Sequence, residues 1–194
     1  MKRCLVVSGI IFLFTIAMFS YAAAAADLTA DMITKEGKIT SKGKLYVNGS
    51  KMRADKGNTP IYNIVRGDKG VLWQVNAAEN TYAEAKITPA LNFWTTEKIP
   101  GEVGRKEIGS EKIDGYSVKK YEVSVKQGKN TSTYHQWIAT DLRFPVKVAN
   151  LNGKWSVEYK NIKKGTPADA MFNLPKGAAL DTMSTPDVLT GGGH

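Results

Sequence analysis

Few residues in this sequence could do covalent chemistry. Its 194 residues include one cysteine and two histidines. His135 lies beside Trp137 in an alternating segment, with neither a Gly-x-Ser-x-Gly nor a His-Glu-x-x-His motif anywhere in the chain. Glu107 with Glu111, or Asp68 with Glu84, have the residue types for general acid and base work. Eighteen acidic residues supply such pairs without any functional reason, and Asp68 after Gly67 has the character of a turn residue. Asp31 and Arg53 are expected to form a structural ion pair near a sheet edge. His135 and scattered acids make no metal-ligand spacing. The expectation is a non-enzymatic protein with no metal and no cofactor.

Binding is better supplied with residues. Lys35, Lys38, Lys42, Lys44, Lys51, Arg53 and Lys56 crowd one region, against only Glu36 and Asp55. Lys38, Lys42, Lys44, Lys51 and Arg53 are the candidate basic surface. Two roles are open. One is attraction to an anionic membrane surface, worth about 1 kcal/mol per cation near the headgroups. The other is a solvated strand face kept charged against edge pairing. A basic-aromatic platform for nucleic acid is missing. Val71, Trp73, Leu91, Phe93, Trp94, Trp137 and Phe144 are the candidate walls of an apolar site. Trp73 and Phe144 serve a strand core equally well, whereas Leu91, Phe93 and Trp94 cluster between Pro89 and Pro100, where a lid would lie.

These residues need elements to position them. The chain opens with Lys2 and Arg3, an apolar run from Leu5 and an alanine-rich end at Ala22–Ala26, the order of a secretory signal peptide over 1–26. Cleavage is expected after Ala26, with Ala24 as the alternative. An uncleaved anchor is the rival, since the uncharged run is long enough to span a bilayer. Cys4 precedes the apolar run, so it is no lipid-attachment site and leaves with the leader. The net charge of +9 then falls by the two charges of Lys2 and Arg3. The product belongs in a periplasm or outside the cell.

From Leu28 to Ile162 apolar residues alternate with polar ones between glycine turns, which predicts about nine or ten short antiparallel strands. Asn48-Gly49, Asp114-Gly115 and Asn152-Gly153 mark hairpins. Two short helices are expected. One starts at Thr88-Pro89 and ends by Pro100-Gly101. The other follows Thr166-Pro167-Ala168-Asp169 and stops at Leu174-Pro175. One domain over 27–177 and a loosely ordered tail over 178–194 complete the layout.

The order of several segments carries a resemblance. Gly43-Lys44-Leu45-Tyr46-Val47 leads to Lys51-Met52-Arg53. Arg66-Gly67-Asp68 precedes Val71-Leu72-Trp73 and Asn80-Thr81-Tyr82. Gly109 to Tyr116 precedes Lys120-Tyr121-Glu122-Val123. Trp137-Ile138 is followed by Phe144-Pro145-Val146-Lys147, and Asp169 to Pro175 closes the series. Over roughly residues 28–177 the chain resembles the bacterial lipoprotein-carrier-like superfamily, the LolA/LppX type. The resemblance implies a mainly β (α+β) fold, a curved antiparallel sheet forming an incomplete barrel with short covering helices. It also implies a cavity for a lipid or a lipoprotein acyl chain. The expected function is a periplasmic binding protein for an apolar or acylated ligand. The alternative is an envelope protein-protein interaction or sensor module with its cavity packed shut.

Overall fold

A computed structural model describes residues 26–87 and 95–182 of the chain. Among the described residues twelve strands appear in chain order. They are β1 (Leu28–Glu36), β2 (Ile39–Asn48), β3 (Lys51–Asp55), β4 (Ile61–Arg66), β5 (Val71–Asn76) and β6 (Thr81–Lys86), then β7 (Glu102–Ile113), β8 (Tyr116–Gln127), β9 (Asn130–Ala139), β10 (Phe144–Asn150), β11 (Trp155–Lys164) and β12 (Ala179–Leu180). They form one sheet in the order β12-β6-β5-β4-β3-β2-β1-β11-β10-β9-β8-β7, with distinct ends, so it is not closed. All pairs are antiparallel except β12 with β6.

The alternation read from sequence places most of these strands. The two additional ones are β1, and β12 in the patternless stretch after residue 177. Local turn chemistry makes the hairpins. Asp114 and Gly115 both take positive φ, 50° and 82°, the two-residue turn whose twist matches the flanking strands. Gly43 has a different reason to be glycine, because a Cβ there would sit 2.0 Å from the Asp55 carbonyl oxygen at the end of β3. Lys38 lies in the β1–β2 turn rather than on the strand.

Register decides which face each apolar residue joins. Leu28 and Ala30 of β1 pair with Val47 and Leu45 of β2, and Met32 pairs with Tyr159 of β11. Val157 pairs in turn with Val148 of β10. This face carries the main core, including Val118, Val123, Phe144 and Val146. Ala54 pairs with Leu45, and Asn63 with Ala54, so Ile64 beside Asn63 points to the opposite face. There Ile64, Trp73 and Val75 form a second cluster.

The expected covering helices are the part the structure corrects. Residues 95–100 are turn and bend, and the rest of the expected first helix lies outside the described residues. The second is one 3₁₀ turn, Asp169–Phe172. Pro167 and Pro175 bracket it too closely for a longer helix. It covers the second cluster, on the face away from the main core.

Candidate functional site

The crossover from β6 to β7 joins strands near opposite ends of the sheet. Its described end lies on the main-core face. The Gln136 side chain, fully buried on β9, donates from Nε2 to the Thr96 carbonyl at 3.0 Å. Arg105 donates to Gln136 Oε1 at 2.9 Å, to the Glu97 carbonyl at 2.9 Å and to both Glu102 carboxylate oxygens at 2.8 Å. Glu102 also accepts the Ile99 N–H at 3.2 Å, and Ile99 is buried in the main core. Burial of Glu102 opposes its charge, but Arg105, the Ile99 N–H and Lys98 outweigh it and keep the carboxyl below its ordinary range.

The wall candidates divide among these surroundings. Phe144 is fully buried on the main-core face with its ring 5.3 Å from that of Tyr159. Trp137 pairs with Lys147 and is itself buried in the main-core cluster. Its ring lies between the Lys120 and Lys147 ammonium groups at 4.7 and 5.1 Å, and its N–H reaches Glu111 at 2.6 Å. Val71 and Trp73 belong to the second cluster, where Trp73 donates to Glu84 at 2.8 Å. Leu91, Phe93 and Trp94 lie outside the described residues.

The second cluster is completed from elsewhere in the chain. After β11 the strap 165–178 runs across it and delivers Phe172, fully buried, onto Ile64, Trp73 and Val75. Arg66, buried at the end of β4, donates to the Phe172 carbonyl at 3.2 Å, to Asn173 Oδ1 at 3.1 Å and to Asp68 at 2.6 and 2.8 Å. That contact drives the Asp68 carboxyl down to about 2. Phe172 and Arg66 are the residues that alternation alone leaves unassigned. The available signals were a phenylalanine bracketed by Pro167 and Pro175, and an arginine two residues beyond Ile64 on the same strand face.

The basic candidates are largely engaged. Lys44 pairs with Asp31 at 2.5 Å, Lys51 with Asp169, and Arg53 with Asp55 at 2.7 Å. The expected Asp31–Arg53 pair does not form, because register sets Asp31 opposite Lys44. The Lys44 hydrogen bond, then that of Asn161, lowers the Asp31 carboxyl. Both flank an open groove of about 380 Å³ that also takes in Thr29, Tyr46 and Lys163. The carboxylates weighed for acid-base work are spread out as well. Asp68 faces Arg66, Glu84 faces Trp73, Glu107 faces Lys119 and Glu111 faces Trp137. His135 stands opposite Glu122 and Ala149, and burial, then Lys120, lowers its pKa. No group of three or more potential metal ligands occurs among the described residues.

Comparison with known proteins adds a family and a fold. Residues 28–143 match the family described as Domain of unknown function (DUF4412). No curated protein matches the sequence. The complex structure of Pseudomonas aeruginosa MucA/MucB contains a similar chain, at TM-score 0.53 and 12% identity over 76% of this chain and 55% of that one. This chain thus spans little more than half of the protein it matches. Mycobacterium tuberculosis lipoprotein LppX matches at TM-score 0.41 and 14% identity, over 73% of this chain and 89% of that one. LprF from Mycobacterium bovis matches at TM-score 0.40 and 12% identity, over 79% and 90%. The likeness to the MucA/MucB structure is one of fold.

Proposed function

From the premise that this chain belongs to the DUF4412 family, we propose that it is an exported, non-enzymatic binding protein for an apolar or acylated ligand. The leader over 1–26 directs it to the periplasm and is removed near Ala26, leaving the domain over 27–177 and the tail over 178–194. The ligand lies between the main-core face and the β6–β7 crossover. Leu91, Phe93 and Trp94 line the crossover side, with Phe144 on the strand side. Val71 and Trp73 pack in the second cluster on the other face, and Trp137 belongs to the main-core cluster with Phe144.

The observation that carries this reading is the anchoring of the crossover. Its far end is fastened to the apolar face by Gln136 and Arg105, and its middle is rich in large apolar residues. Ile87 and Thr96 can lie no more than about 32 Å apart along a fully extended chain. Eight flat strand spacings from β6 to β9 amount to about 38 Å, before any rise onto the face. A sheet curled toward the crossover brings the two ends within reach, which supports the incomplete barrel. Native mass spectrometry of detergent-free protein tests the reading. A co-purified lipid, lost in Leu91→Asp and Trp94→Asp variants that still fold, is expected. Ligand-free protein that also fails to bind a fluorescent fatty acid would overturn it.

The second reading is an envelope interaction module with the interior packed shut. Full burial of Val123, Val146 and Val148 favours it, as does the similarity to MucB, solved in complex with MucA(peri). In-cell crosslinking from β7 to one defined envelope protein would support it. The free cations of the basic surface, Lys38 and Lys42 among them, attract anionic membranes in either reading. Salt-sensitive binding to anionic vesicles, weakened by Lys42→Glu with Lys44→Glu, is the check.

A further inference from the structure

The strap is bound to the second cluster as a peptide is bound to a receptor. Its backbone carbonyls accept hydrogen bonds from side chains on the sheet. Asn48 donates to Pro167 at 3.1 Å, Arg53 to Met171 at 3.5 Å and Arg66 to Phe172 at 3.2 Å. Any peptide has such carbonyls, so these contacts hold a chain without choosing its sequence. Two strap side chains add the choice. Phe172 fills the hollow over Ile64, Trp73 and Val75, and Asp169 pairs with Lys51. The rim is cationic and aromatic together. Arg53 stacks 3.9 Å over Tyr62, and Arg66 and Lys69 lie 5.9 and 5.6 Å from the Trp73 ring.

The strap has weak ties of its own. Within Asp169–Asn173 its backbone N–H groups bond only locally, Met171 to Ala168 and Asn173 to Ala170. Its backbone N–H groups reach the sheet at its two ends, Gly165 to the Asp27 carbonyl at 3.1 Å and the β12 end to Asn80 and Tyr82. It leaves β11 through Gly165, whose φ of 145° makes it a natural pivot.

We propose that the hollow over Ile64, Trp73 and Val75 is a peptide-docking site, occupied in cis by Asp169–Phe172. A segment of a partner protein with Asp three residues before Phe exchanges with it. Arg53 and Arg66 are neutralised by Asp55 and Asp68 and hold backbone carbonyls, so the Lys51 ammonium selects the carboxylate, and the hollow selects an aromatic ring. This site is on the face opposite the proposed cargo. It gives the interaction reading one specific surface and rests on that reading only in requiring a partner. A partner captured only through β7 would leave that reading standing and remove this one.

The test is binding of a fluorescein-labelled peptide with the sequence of residues 166–176 to the full chain, followed by anisotropy. The intact chain binds it weakly, because its own strap competes. The Phe172→Ala chain binds it at least tenfold more tightly. That gain is lost when the peptide carries Phe172→Ala or Asp169→Lys, and when the chain also carries Arg66→Ala. Equal binding of the Phe-less peptide, or no gain in a folded Phe172→Ala chain, overturns the proposal. If Phe172→Ala fails to fold, the Asp169→Ala chain gives the same readout, with a smaller gain of about threefold expected. Hydrogen exchange adds a second reading. Met171 and Asn173 amides must exchange faster than those of β9 in the intact chain, and equal protection would show that the strap never opens.

Discussion

Two segments that are not strands lie against this sheet, residues 95–101 on one face and the strap on the other, and an arginine ties down each. Arg105 fastens the crossover to the main face through Glu102, whose side chain is only 7% exposed. Arg66 fastens the strap to the opposite face through the Phe172 carbonyl and Asn173, and is itself paired with Asp68, whose side chain is 38% exposed. The crossover clamp sits over a core drawn from strands in both halves of the sheet. The strap clamp sits over a core of three strand residues that Phe172 completes. The same pairing chemistry therefore has different consequences. One clamp is embedded in the cooperative unit, and the other guards an element that can leave alone.

The largest expected effect lies in the main core. Phe144→Ala removes a fully buried ring that packs on Tyr159, and should cost about 3–5 kcal/mol in urea unfolding. A loss under about 1 kcal/mol would show that this face is loosely filled, which would favour an open ligand cavity. Glu102→Ala comes next. It strips Arg105 of its buried partner and the Ile99 N–H of its acceptor. About 2–3 kcal/mol is expected, with faster hydrogen exchange through residues 95–101.

Phe172→Ala should cost less than Phe144→Ala even though both rings are fully buried. The strap can detach as a unit, so the loss is capped by its docking energy, about 1–2 kcal/mol. The measurement is a urea melt compared with exchange at Ala179 and Asp181, whose amides bond to Asn80 and Tyr82. A cost equal to that of Phe144→Ala would erase the distinction between the two faces.

That distinction was only half legible in the sequence. Alternation and hairpin dipeptides located ten strands, because both are local properties of a pleated chain. Trp73 and Phe144 looked equivalent, since each alternates with polar neighbours. Their separation depends on register between distant strands, with β1 seated between β2 and β11, and on bulges after Thr29 and Pro145 that change phase. Neither leaves a local mark. The expected Asp31–Arg53 pair failed for the same reason, because cross-strand partners follow register and not charge. At β7 the bulges have an evident role, since Val103 and Ile108 fall at its register shifts on the sheet edge, 62% and 41% exposed. Such irregularity blunts an unpaired edge.

Acid offers the finest discrimination between the clamps. Asp68 has its carboxyl lowered to about 2 by the Arg66 hydrogen bond, against about 3.9 in an unfolded chain. A group depressed on folding stabilises the folded form fully above its unfolded pKa and loses that contribution as pH falls through the folded one. The strap clamp is therefore intact above about pH 4 and weakens from there toward pH 2. Its loss frees Arg66 from Asp68 while the apolar seat of Phe172 remains, so the response should be small and local. Titration followed by Trp73 fluorescence, in a chain whose other tryptophans are replaced by Phe, should show a transition in that window while the far-ultraviolet signal of the sheet is unchanged. Asp68→Asn should flatten it. A transition that persists in Asp68→Asn would move the acid response to Glu102, whose carboxyl is also lowered, and the crossover would then be the acid-sensitive face.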